Sequence, residues 1–192
     1  MKASVLANAS AEDRNSTDFY PTPPEATWAL MGWLDLPATV RVWEPAAGEG
    51  HMALAIGDCG VAVTATTLHD QGFGETGVDF LEQGTPRGDW LITNPPFKLA
   101  AAFIEHAMTL GVPFAMLLKS QFWHASGRLD LFNQRRPRAV LPLTWRPDFH
   151  FGSKGGSPTM ECAWTVWDAT PAAATVYTPL AKPIAPPVGF FA

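Results

Sequence analysis

The chain has 192 residues, 47% of them hydrophobic, and a formal net charge of −5. That length suits one domain with a substantial core, and the hydrophobic content excludes wholesale disorder. No apolar run reaches the ~18 residues of a membrane span, and the opening residues, with Asn8, Glu12, Asp13 and Arg14, form no signal peptide, so a cytoplasmic protein is expected.

Residues 1–16 are polar and read as a flexible arm. In Asp18-Phe19-Tyr20-Pro21-Thr22-Pro23-Pro24, three prolines and two aromatics make an extended segment. Thr22 is the expected N-cap of a helix that places Ala26, Leu30, Trp33 and Leu34 on one stripe and ends near Leu36-Pro37. Val40-Arg41-Val42-Trp43 reads as a short strand running into Glu44-Pro45-Ala46-Ala47-Gly48-Glu49-Gly50, and 51–56 as a helix closed by Gly57. A strand, a Gly-containing turn and a helix together hold nucleotide-like ligands, because small residues admit close backbone approach and the helix start offers free N–H groups. The carboxylates of Glu44 and Glu49 disfavour a phosphate there and suit a positively charged amine. The turn is neither a P-loop nor GxGxxG.

A second strand is expected over 61–68, leaving into the loop His69-Asp70-Gln71-Gly72-Phe73-Gly74. Val78-Asp79-Phe80-Leu81 reads as a strand end or a loop carrying one carboxylate. Trp90-Leu91-Ile92-Thr93 reads as a buried strand that Asn94-Pro95-Pro96-Phe97 stops, since two prolines forbid continuation and force a rigid corner. That corner sets a side-chain amide, a proline carbonyl and an aromatic ring at a strand's carboxyl end, where ligands of open α/β sheets bind. The Asn94 oxygen and the Pro95 carbonyl can accept from an NH2 while Phe97 stacks on the ring that bears it; a plain Pro-Pro turn is the other reading.

A helix over 98–110 and a strand over 113–118 ending in Lys119 follow, then a helix over 128–134 and strands over 139–143 and 160–167. Such alternation predicts a mostly parallel sheet covered on both faces. From Lys119 to Lys154 seven cations face only Asp130 and Asp148, a net +5 that leaves −10 for the rest of the chain. This allows a basic face on an acidic body, although Arg135-Arg136-Pro137-Arg138 also reads as a solvated helix end. The loop over 145–158 is basic, aromatic and glycine-rich, a composition suited to single-strand or flipped-base contact and equally to a surface loop. Within the nucleic-acid-contacting region assigned to 120–158 and its entry, the candidate contacts are Lys119, Arg146, Lys154 and Ser157. Trp123 and Trp145 flank it. Residues 171–192 are rich in Pro and Ala and read as an extended tail over the surface, which leaves 17–170 as the folded domain. Cys59 and Cys162 are far apart, His51, His106, His124 and His150 have no nucleophile partner by spacing, and neither a disulfide framework nor a metal site is expected.

With these parts in order, residues 17–167 resemble the Rossmann-type S-adenosylmethionine-dependent methyltransferases, and more narrowly the phage and prophage DNA adenine-N6 methyltransferases. DFYPTP at 18–23 is similar to that group's N-terminal cofactor motif, WEPAAGEG at 43–50 to its glycine motif and NPPF at 94–97 to its catalytic motif, in the same order. The resemblance implies a Rossmann-like α/β fold with S-adenosylmethionine as cofactor. It also implies that Tyr20 and Thr22 contact the cofactor's methionine part, with Pro21 shaping the segment. Glu44, Pro45, Ala46, Gly48 and Gly50 would line the amino-acid moiety, Asp79 and Phe80 hold the adenine ring, and Asn94, Pro95, Pro96 and Phe97 hold the target base. The family's acidic ribose ligand is missing where Thr67 stands, and Asp70 is the substitute. The implied reaction is methyl transfer to adenine N6 of DNA, duplex with a flipped base or single-stranded. The alternatives are the same chemistry on RNA adenine or a protein glutamine side chain, and an inactive nucleic-acid-binding module.

Overall fold

A computed structural model describes residues 20–152 and 157–187; the arm over 1–16, Asp18, Phe19, Lys154 and residues 188–192 of the tail lie outside them. The strands are Arg41–Glu44 (β1), Ala62–Thr67 (β2), Glu75–Thr76 (β3), Trp90–Thr93 (β4), Phe114–Lys119 (β5), Ala139–Pro142 (β6), Cys162–Trp167 (β7) and Val176–Tyr177 (β8). They form one sheet in the order β3-β2-β1-β4-β5-β7-β6-β8. β3, β2, β1, β4 and β5 are parallel, β7 lies antiparallel between β5 and β6, and β8 runs parallel to β6. The Rossmann-like expectation holds.

Alternation along the strands sorts the core onto two faces. Val42, Ile92, Leu117, Leu141 and Trp164 pack on one, under the helices Pro24–Leu34 (α1) and His51–Gly57 (α2). Trp43, Leu91, Phe114, Met116 and Trp167 pack on the other, under Ala100–Thr109 (α3) and the start of Arg128–Gln134 (α4). The buried indoles are satisfied as well as packed, Trp164 donating to the Ala26 carbonyl at 2.8 Å and Trp167 to that of Arg135 at 3.0 Å.

Three expectations change and one open choice is decided. Thr22 does not cap α1: the N-cap is Pro23, without a side-chain bond, and the Thr22 hydroxyl is committed elsewhere. The helix ends at Leu34, before Leu36-Pro37, because Asp35 turns left-handed and closes on the Met31 carbonyl; its buried stripe is Ala26, Thr27, Leu30 and Met31. Of the two readings for 78–81, the loop holds and the strand end does not: the segment leads into a 3₁₀ turn, Phe80–Glu82, with the Asp79 carboxylate accepting from the Leu81 N–H at 2.9 Å. The tail is extended but tied down, since β8 pairs with β6, the Leu180 N–H donates to the Pro142 carbonyl at 2.8 Å, and the Leu180 side chain is buried in the core.

Candidate active site

Pairing Val42 with Trp90 and Trp43 with Leu91 puts the carboxyl ends of β1 and β4 side by side. The chain leaves β1 toward β2 on one side and β4 toward β5 on the other, so a crevice opens between them, the usual ligand position in such sheets. Glu44 ends β1 and Asn94 follows β4. The extended Tyr20–Thr22 segment lies across both. Together with Ala46, Ala47, His51, Met52, Pro95 and Pro96 these residues line a cavity of about 60 Å³.

The Asn94 side chain is held in one orientation. Its Nδ2 donates to the Tyr20 carbonyl and to the Thr22 hydroxyl, both at 3.1 Å. A carbonyl can only accept, so the amide nitrogen must face it and the oxygen must face away. Asn94 Oδ1 is then buried without a partner among the described residues. A buried acceptor left open costs about 1–3 kcal/mol, which a ligand N–H would recover. The Pro96 carbonyl, by contrast, is used: it accepts from the Leu99 N–H at 2.8 Å and starts the 3₁₀ turn Phe97–Leu99.

Glu44 supplies a second open acceptor in the same cavity. Its Oε2 is buried and unpartnered, and burial pushes the carboxyl up to about 8, against a smaller lowering by a hydrogen bond from the Ala53 backbone. A cation placed there would stabilise the carboxylate. The turn that follows is built for close approach. Gly48 and Gly50 both take positive φ, and a Cβ on Gly50 would lie 2.4 Å from the Phe73 ring.

In the loop after β2, Asp70 Oδ1 accepts from the Gly72 N–H at 3.0 Å. Thr67 is buried in that strand end, beside β3. The expected packing of the Phe80 ring on a ligand is corrected: Phe80 is 2% exposed and lies against Trp43, Phe103 and His106 inside the core. Phe97 is also engaged, with the Tyr20 ring at 4.9 Å and the Lys119 ammonium 4.2 Å from its centroid.

Reading by sequence missed several groups here. Phe149 and His150 pack around Tyr20 at 5.8 and 6.3 Å, and Phe151 meets His51 at 5.1 Å. Asp148 holds their turn by accepting from the N–H groups of His150 and Gly152. The aromatic loop therefore folds partly over the crevice. The only legible signal was its aromatic density. Of the candidate nucleic-acid contacts, Lys119 and Arg146 line one groove on the α3–α4 face, Ser157 is exposed elsewhere on the loop, and Arg146 pairs with Glu161 at 2.8 Å. Among the described residues no group of three metal-ligating side chains occurs, and no helix is long and apolar enough to cross a membrane.

No family model and no curated protein matches the chain. Solved structures do. A protein of Listeria monocytogenes described as a class I S-adenosylmethionine-dependent methyltransferase aligns with TM-score 0.62 and 14% identity, over 91% of this chain and 75% of its own. The fold is that of S-adenosylmethionine-dependent methyltransferases. A protein of Pyrococcus horikoshii described as an RNA methyltransferase aligns at 0.61 and 13% identity, over 88% of this chain and 96% of its own. The modification subunit of a type I restriction enzyme from Vibrio vulnificus aligns at 0.61 and 13% identity over 92% of this chain, which spans about half (49%) of that subunit.

Proposed function

We propose that the chain is an S-adenosylmethionine-dependent methyltransferase acting on the exocyclic N6 amine of adenine in DNA. The observation that carries this is the oriented Asn94 amide, whose free oxygen sits at a strand end in a methyltransferase fold. The cofactor fits the residues present: Gly48 and Gly50 take the positive φ of a tight turn, and Glu44, which lines the cavity, has a buried Oε2 without a hydrogen-bond partner among the described residues. Glu44 would hold the amino-acid ammonium, with Tyr20, Pro21, Pro45 and Ala46 around it, and Asp70 and Asp79 would serve the ribose and the adenine. When bound, the cofactor supplies an electrophilic sulfonium methyl.

The chain's own work is positioning. Adenine N6 is a poor nucleophile because its lone pair is delocalised into the ring. Asn94 Oδ1 accepts one N–H, and the Pro95 carbonyl is the second acceptor; together they favour a more tetrahedral nitrogen aimed at the methyl. The methyl that the cofactor would supply would go to N6, and the extra proton on N6 would pass to solvent. Such contributions are electrostatic and orientational. Phe97 stacks on the base, joining or replacing its contacts with Tyr20 and Lys119.

The likeness to a restriction-modification subunit favours DNA, and the likeness to a protein described as an RNA methyltransferase makes RNA adenine the competitor. Incubation with methyl-labelled S-adenosylmethionine and DNA, RNA or protein, followed by hydrolysis, separates them. N6-methyladenine in DNA is expected. Label confined to RNA or protein overturns the proposal.

A further inference from the structure

On the side of the sheet facing α4, a groove of about 1180 Å³ remains open over β6, β7 and β8. Its origin is local. Helix α4 has only seven residues and buries one of them, Leu131, so Val140 and Pro142 of β6 stay only half-buried. Val140 and Pro142 of β6 and Ala163 and Thr165 of β7 form the floor. The volume exceeds the roughly 300–1,000 Å³ of a small-molecule site, which points to an extended ligand.

We propose that this groove holds the single-stranded stretch of DNA adjoining the target adenine; the inference rests on the adenine reading above. Charge selects the class of ligand. Three cations, Lys119, Arg128 and Arg146, line the groove against one carboxylate, Glu161, in a chain whose net charge is −5. The Arg146–Glu161 pair is more than half exposed at both ends, so a phosphate can replace the carboxylate at little cost. Behind the walls, Arg128 Nε and Trp145 Nε1 are buried without a hydrogen-bond partner among the described residues.

Aromatic groups select an unpaired strand. Trp123, Phe132, Trp145 and Tyr177 line the groove, with Tyr177 69% exposed. Rings of this kind stack on base faces, which a single strand offers and a duplex hides. Position ties the groove to the catalytic corner. Lys119 lines one end of it while its ammonium lies over Phe97, so a strand that presents a base at Asn94 runs into the groove.

The test uses the full chain and a 15-nucleotide single strand with one adenine and 5-iododeoxyuridine beside it. Irradiation should cross-link the adjoining nucleotide to Trp123, Trp145 or Tyr177. Tyr177→Ser and Arg128→Gln, confirmed folded by circular dichroism, should each weaken binding of this strand roughly tenfold and leave binding of S-adenosylmethionine unchanged. Cross-links lying wholly outside the groove overturn the inference; if the adenine in the same tube is still methylated, the adenine reading survives alone. Cross-links in the groove without adenine methylation keep the groove as a DNA surface and sink the adenine reading. A strand of RNA that outcompetes the DNA, or variants that change only self-association, overturns the occupant named here.

Discussion

The crevice between β1 and β4 and the groove over β6 and β7 share one sheet but hold their side chains in opposite ways. In the crevice every group is fixed: Asn94 is pinned by Tyr20 and Thr22, Glu44 is sealed from solvent, and Gly50 sits under Phe73. The cavity is about 60 Å³. The groove is roughly twentyfold larger, and its ion pair is solvent-exposed. A methyl transfer needs atoms placed to within about 0.5 Å, whereas holding a chain of nucleotides tolerates adjustable contacts. Under the proposed function the contrast is one of task, and it can be tested by attacking the rigid end.

The largest effect is expected at Asn94. Asn94→Ala removes the oriented acceptor and should lower kcat by about 10²–10³-fold, the scale seen for losing one preorganised polar group. Calorimetry should find cofactor and DNA affinities near those of the parent. Activity within tenfold of the parent removes Asn94 from the mechanism.

Next is Gly50. Gly50→Ala places a Cβ 2.4 Å from the Phe73 ring at a φ of +86°. The left-handed backbone alone costs about 1–2 kcal/mol, so cofactor affinity should fall more than tenfold. Adding Phe73→Ala relieves the clash but not the backbone term, and should restore part of the loss. No recovery in the double variant would show that Phe73 does not cover the turn in solution.

The crevice was also the more legible region, and the reason is physical. Prolines and glycines fix backbone locally, so DFYPTP, EPAAGEG and NPPF announce their corners without tertiary information. The strands showed as apolar runs. What stayed hidden depends on contacts between distant residues. Thr22 reads as a helix cap because a hydroxyl before Pro23-Pro24 suits one, yet Asn94, seventy-two positions away, takes that hydroxyl. Phe80 reads as a ligand contact beside Asp79, but the 3₁₀ turn rotates its ring into the core. Lys119, Arg146, Trp123 and Trp145 of the groove stood out in the sequence, but its shape did not, since that depends on how a short α4 packs on the sheet.

Glu44 offers a prediction with a defined pH window. The folded chain keeps a proton on this carboxyl up to about pH 8, while the unfolded chain releases it near 4.5. Its contribution to stability is therefore complete below 4.5 and fades as the pH rises through 8. Urea titrations should show parent stability declining across that window, with Glu44→Gln flattening the decline. Cofactor binding runs the other way: the ammonium needs the carboxylate, so affinity should rise nearly tenfold between pH 6 and pH 7, with proton release, before the ammonium itself deprotonates near pH 8. An affinity equally independent of pH in parent and Glu44→Gln separates Glu44 from the ammonium.

The smallest expected effect is the sharpest probe of rigidity. Thr22→Val keeps the shape of a buried side chain but deletes the hydroxyl that accepts from Asn94. The Tyr20 carbonyl still holds Nδ2, so the amide keeps its facing and loses only part of its anchorage. One such hydrogen bond contributes about 0.5–1.5 kcal/mol, which corresponds to a kcat lowered roughly two- to tenfold. Thr22→Ser should recover most of it, because the acceptor returns, and the KM for cofactor should stay put in both variants. A kcat for Thr22→Val equal to the parent's would mean that Tyr20 alone orients the amide. A raised KM with unchanged kcat would place Thr22 on the cofactor instead, as its position in DFYPTP first implied.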